Sequence, residues 1–208
     1  GYAALNNFTG SNATAVGSGA ADAAVGQTTL TAVGYNALGV STSGNNNTAV
    51  GSASLQTVDG SENTAVGWAA LGADCVSNNV GIGDRSLQVF TGSGATVVGS
   101  KAADAAVGNA SLTAVGYNAL GAATSGADNT AVGSACLDAT VDGNYNTAVG
   151  ESALSADCVD HNVAMGHDAL TAFTGSNATA VGSGAADAAV GNANLTAIGK
   201  SALGAATS

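Results

Sequence analysis

Two histidines, His161 and His167, lie six residues apart, and each stands beside an aspartate, Asp160 and Asp168. Imidazole with carboxylate is a donor set for a divalent cation, and it is also a pairing for general acid–base chemistry. No cysteine accompanies the four, so they read as solvated turn residues rather than as a ligand set. The three cysteines are spread along the chain at Cys75, Cys136 and Cys158. They read as small buried apolar residues, with pairing between chains as the rival reading. No Gly-x-x-x-x-Gly-Lys-Ser/Thr loop is present to cradle phosphate, and no Gly-x-Ser-x-Gly elbow to present a nucleophile. Catalysis needs reactive groups that converge. Nothing in the sequence converges, so the expectation is a protein that is not an enzyme and carries no catalytic residue, metal or cofactor.

The remaining candidates are contact residues. Tyr35, Trp68, Arg85, Tyr117, Glu151 and His167 all fall within two residues after a recurring glycine. Exposed Trp and Tyr present an apolar ring and a polar edge, which suits stacking on a sugar or packing on a protein receptor. The competing reading is that they cover coil edges or fill an interface between copies.

The recurring glycine defines what must position these residues. It falls at Gly1, Gly17, Gly34, Gly51, Gly67, Gly83, Gly99, Gly116, Gly133, Gly150, Gly166, Gly182 and Gly199, always 16 or 17 residues apart. A fixed short period marks modules that cannot bury their own apolar face and must stack. Ahead of most of these glycines stands Thr-x-Val, a period-two, β-branched pattern that predicts a strand. Four residues after most of them comes a leucine. Eight or nine residues per half-unit leave no room for a helix. The expected fold is therefore all-β: a parallel β-solenoid, or β-roll, of about twelve coils with two short strands per coil. Val16, Val33, Val50 and Val66, with Leu38, Leu55, Leu71 and Leu120, are the expected core. The flat Ala15 file is the expected contact face between copies. At strand-layer spacing the rod is about 57 Å long, and Cys75 and Cys158, five coils apart, lie roughly 24 Å apart.

A longer period overlies the first. Residues 18–99 and 100–182 are two five-coil super-repeats, seen in SGAADAAVGQTTLTAVG against SKAADAAVGNASLTAVG. With no linker and no shift in composition, residues 1–208 read as one domain. The chain opens on a repeat glycine and stops inside a unit, which suggests an excerpt of a longer protein.

Composition bounds the partners. With a net charge of −11 and only Arg85, Lys101 and Lys200 as cations, nucleic acid is disfavoured. No apolar run is long enough for membrane insertion. In the units Ser18–Gly34, Ser100–Gly116 and Ser183–Gly199 the Leu file is interrupted by Ala21, Ala103 and Ala186, while Leu30, Leu112 and Leu195 refill the core from the other side. Asn47, Asn63, Asn79, Asn129, Asn146 and Asn162 precede the strand at one position and are expected to hydrogen-bond along their file.

The units GNNNTAVGSASL, SENTAVGWAAL, ADNTAVGSACL and GNYNTAVGESAL resemble two groups of repeats. One is the head of trimeric autotransporter adhesins; the other is the Asn-Thr-Ala-Val-Gly-Tyr-x-Ala-Leu repeat of bacteriophage and virus tail fibres. The likeness runs over essentially the whole chain. It implies a homotrimer of left-handed β-rolls, extracellular, on a cell surface or on a virion, used for attachment to a glycan or protein receptor. The leading functional expectation is thus a non-enzymatic structural rod of such a fibre. A self-assembling extracellular filament or matrix protein is the alternative. An ice-binding solenoid is a third reading, and it requires the Thr-x-Val file to face outward.

Overall fold

A computed structural model describes residues 1–108, 111–191 and 193–204; Asn109, Ala110, Asn192 and residues 205–208 lie outside them. The chain winds into a parallel β-solenoid. Its strands are β1 (Ser11–Val16), β2 (Thr28–Val33), β3 (Thr48–Val50), β4 (Thr64–Val66), β5 (Val80–Ile82), β6 (Thr96–Val98), β7 (Thr113–Val115), β8 (Thr130–Val132), β9 (Thr147–Val149), β10 (Val163–Met165), β11 (Thr179–Val181) and β12 (Thr196–Ile198). They form one sheet of 12 strands in sequence order. Every neighbouring pair is parallel and in register: Thr31 lies against Thr48, Ala32 against Ala49, Val33 against Val50, and so on along the rod. Like side chains therefore form continuous files.

Two expectations are corrected. First, each coil carries one strand, not two, among the described residues. The half after the glycine is a left-handed turn path. Asn36 and Leu38 have φ of 52° and 51°, and the same two positions are left-handed coil after coil. Left-handed φ costs an L-residue roughly 1–2 kcal/mol. Burial of a leucine returns about 1.5–3 kcal/mol. Hydrogen bonds between coils continue through this half: Asn36 N–H donates back to Ser18 O at 3.0 Å, and Leu38 N–H donates forward to Ser54 O at 3.0 Å. The ladder survives without strand geometry.

Second, the strand faces are reversed. The middle Ala points inward: Ala32, Ala49, Ala65, Ala114, Ala131, Ala148, Ala164 and Ala180 are all buried. Val16 and Val66 are exposed, and Val33 and Val50 are only half-buried, so none of these four is core. Leu38, Leu55, Leu71 and Leu120 are fully buried. The reason is the width of the coil. A Cβ placed on Gly81, at the inward position of β5, would sit 3.1 Å from Leu71 Cγ. The leucine of the coil reaches the strand opposite and leaves space for a methyl group. Val97 is the larger exception, and in the coil after it Ala103 replaces leucine. Close packing at constant volume governs these exchanges. Ala21 is paired with Leu30 and Ala103 with Leu112, and the four are buried. Phe90 is likewise buried in the coil where Ala95 replaces the usual Asn.

The recurring glycine closes each strand by close approach as well as by conformation. Gly51 has φ +135°, and a Cβ there would meet Gly67 O at 2.3 Å. No side chain fits between coils at this corner.

Candidate functional site

The contact candidates sit on the corner just after each strand. The first residue after the glycine projects outward there, and the second is left-handed, as at Arg85 (φ 54°). Tyr35, Trp68 and Tyr117 are 61%, 52% and 56% exposed. Glu151 and His167 are exposed and Arg85 is half-buried. All six therefore lie on one corner of the rod. They fall into two sets with the same coil spacing, five coils apart: Tyr35, Trp68 and Arg85, then Tyr117, Glu151 and His167.

In the first set, Arg85 Cζ lies over the Trp68 ring, 5.8 Å from its centroid. A guanidinium there is attracted by the ring's negative face. Arg85 Nε also reaches Asp84 Oδ2 at 3.4 Å, and Arg85 N–H donates to Trp68 O at 2.9 Å. Lys101 follows on the next coil, its N–H donating to Asp84 O. Burial raises the Asp104 carboxyl above its ordinary value, and the charges of Arg85 and Lys101 oppose that rise. In the second set, His167 Nδ1 lies 3.0 Å from Asp168 Oδ2, and Asp168 N–H donates to Glu151 O at 3.0 Å.

The four residues considered for a metal are not brought together. His161 stacks on Tyr145, with centroids 5.0 Å apart. Asp160 accepts Asn144 N–H at 2.7 Å. His167 and Asp168 pair on the corner beyond β10. Among the described residues no group of three or more His, Cys, Asp or Glu side chains is placed to hold a metal.

A shallow cavity of about 300 Å³ lies at the opposite turn, lined by Asp142, Gly143, Asn144, Asp157, Cys158, Val159 and Asp160. Its carboxylates tie coils together. Asp157 accepts Val141 N–H at 2.9 Å, and Asp142 accepts the Ser125 hydroxyl. The Asn144 backbone and side-chain amides hold the Asp160 carboxyl below its usual range. Such carboxylates are committed to structure.

Cys75, Cys136 and Cys158 are buried free thiols. Desolvation pushes Cys75 up to about 11 and Cys136 up to about 12, which leaves neither as a thiolate nucleophile near neutrality.

One exposed surface was not anticipated. The outward face of the sheet is a double file of Thr and Val-type residues without a charge. Val66, Ile82 and Val98 are each 37% exposed, and Thr48, Thr64 and Thr113 are half-buried beside that file. The period-two alternation disclosed both faces; which one turned outward depended on the leucine across the coil.

Comparison with family models, curated proteins and solved structures finds no match to this chain.

Proposed function

We propose that the chain is a non-enzymatic rod segment of an extracellular or virion fibre, and that it serves attachment to a cell surface. One observation carries the reading: a sheet of 12 parallel strands turns a charge-free Thr/Val face to solvent along its whole length. A contiguous exposed apolar strip marks an association surface. The occupant proposed is a second and third copy of the same chain, giving a homotrimer. Its contact is the Thr/Val face rather than the Ala file, because the Ala side chains are used up inside each coil. The rigid files then space receptor-contacting residues along the corner outside the trimer core.

Sedimentation equilibrium tests this. The expected mass is three times the 19.4 kDa of one chain. A stable monomer at micromolar concentration would refute it. Indefinite fibres in electron microscopy would point to the filament reading, in which open strand edges at the two ends template addition.

The outward Thr-x-Val array also favours a second reading, ice binding by a monomer. Hydroxyl and methyl groups repeat there at strand spacing, about 4.8 Å, on an uncharged sheet. A monomer with thermal hysteresis would support it; a trimer without hysteresis would end it.

A further inference from the structure

We infer that Tyr35, Ser52 and Trp68 form a slot for a single sugar ring, with Tyr35 and Trp68 as walls and Ser52 as floor. The inference rests on the attachment reading above and names the ligand class and the place.

The three residues occupy the same position, first after the glycine, in three successive coils. Their stacking follows from strand register and from two bonds: Ala53 N–H donates to Tyr35 O at 2.8 Å, and Ala69 N–H donates to Ser52 O at 2.9 Å. Two coil steps separate the aromatic residues by about 9.6 Å. A ring in van der Waals contact on both faces needs about 7–8 Å plus its own pucker. A flat aromatic would be loose there, and a puckered pyranose fits. Serine is the small middle residue that leaves the gap open.

Arg85, on the following coil, covers one face of the Trp68 ring. The proposed slot uses the other face, on the side of Ser52 and Tyr35. Asp84 holds Arg85 from the side. Arg85 is thus a positioning residue, fixing the indole plane across the rod axis. The indole is 52% exposed, which leaves ring surface for a ligand. Pyranoses with an axial-poor, C–H-rich face are the class that stacks on such a wall, and the Ser52 hydroxyl and the Tyr35 phenol supply polar contacts at the rim.

The second super-repeat holds an internal control. Tyr117 and Ser134 repeat Tyr35 and Ser52, but Glu151 stands in place of Trp68. One wall is missing, so the second super-repeat lacks the slot; Tyr2, Ser18 and Tyr35 repeat the file at the start of the rod, with tyrosine in place of tryptophan.

Trp68 is the sole tryptophan, so its emission reports this place alone. The assembled protein is titrated with gluco-, galacto-, manno- and N-acetylglucosamine oligosaccharides, and labelled protein is tested on a panel of whole bacterial and eukaryotic cells. A saturable emission change is expected. Tyr35→Ala and Ser52→Leu, one removing a wall and the other filling the floor, should each weaken it by about tenfold. Arg85→Ala should broaden the Trp68 anisotropy decay and weaken binding less. Glu151→Trp should add one site to the calorimetric stoichiometry. A sugar response unchanged in Ser52→Leu and Tyr35→Ala overturns the slot. Cell binding without any sugar response overturns the slot and leaves attachment standing. Loss of both overturns the two together. Unchanged circular dichroism separates each result from misfolding.

Discussion

The side-chain carbonyl of Asn47 accepts the backbone N–H of Asn63 at 2.9 Å, and that of Asn63 accepts the N–H of Asn79 at 3.0 Å. The file continues to Ala95 N–H and recurs from Asn129 through Asn146 and Asn162 to Ala178. Each amide nitrogen reaches the facing turn instead, as Asn63 Nδ2 does to Val76 O at 2.9 Å. One buried side chain thus ties a strand entry to the next coil and to the opposite turn.

Replacing Asn63 by Ala orphans the Asn79 N–H inside the rod. The expected loss is about 1–3 kcal/mol, the usual penalty for a buried donor without a partner. Urea unfolding of the variant against the parent measures it.

Glycines of the two turns should respond differently. Gly67→Ala places a Cβ 2.3 Å from Gly83 O at φ +138°, so a loss of roughly 3 kcal/mol or more is expected. Gly108 has φ +69° with nothing within 4 Å, and Asn tolerates that conformation. Gly108→Asn should change stability by less than about 0.5 kcal/mol. Thermal melts of the pair check the contrast.

Neighbouring strand positions should separate folding from assembly. Ala131 is buried and Val132 is 37% exposed. Ala131→Leu overpacks the coil and should cost about 1–3 kcal/mol. Val132→Asp should fold normally but lower the sedimenting mass. An unchanged mass would argue against the Thr/Val face as the contact.

Asp59 gives a signed pH effect. The Thr42 backbone N–H, with that of Ser43, holds its carboxyl below the ordinary range against the opposing effect of burial. A depressed carboxylate stabilises the fold above its unfolded value, about 3.9, and the benefit fades as pH falls through the lower folded value. Asp59→Ala should therefore be less stable at pH 7, and its deficit should close in acid. Denaturant titrations across that range test the closure.

The thiols should be silent in the native rod. Burial raises Cys75, Cys136 and Cys158 alike. At pH 8 a thiol reagent should label them slowly, and all 3 should react at once in denaturant. Fast labelling of native protein would show that the coils open at those positions.

Register was fully legible in the sequence, because identical residues recur at a fixed step and only in-register stacking buries them together. Facing was not. Val is larger and more apolar than Ala, so it reads as core. The decisive fact is the reach of Leu71 to the strand opposite, a distance no local pattern carries. The missing second strand has a similar cause: Leu38 and its counterparts adopt left-handed φ against their intrinsic preference, and only burial between coils compensates them. For the contact residues, the corner position was readable from the glycine phase. The placement of Arg85 over Trp68 was not, since it depends on side chains from different coils.

Because each coil touches only the coils before and after it, the five-coil block carries matching ends. Residue 99 meets residue 100 as residue 17 meets residue 18, with the same alanine-rich unit following each glycine. A gene duplication or deletion of one whole block therefore lengthens or shortens the shaft by about 24 Å and creates no junction that the protein does not already contain. Reach becomes a heritable quantity that changes in fixed increments, while the cross-section stays constant.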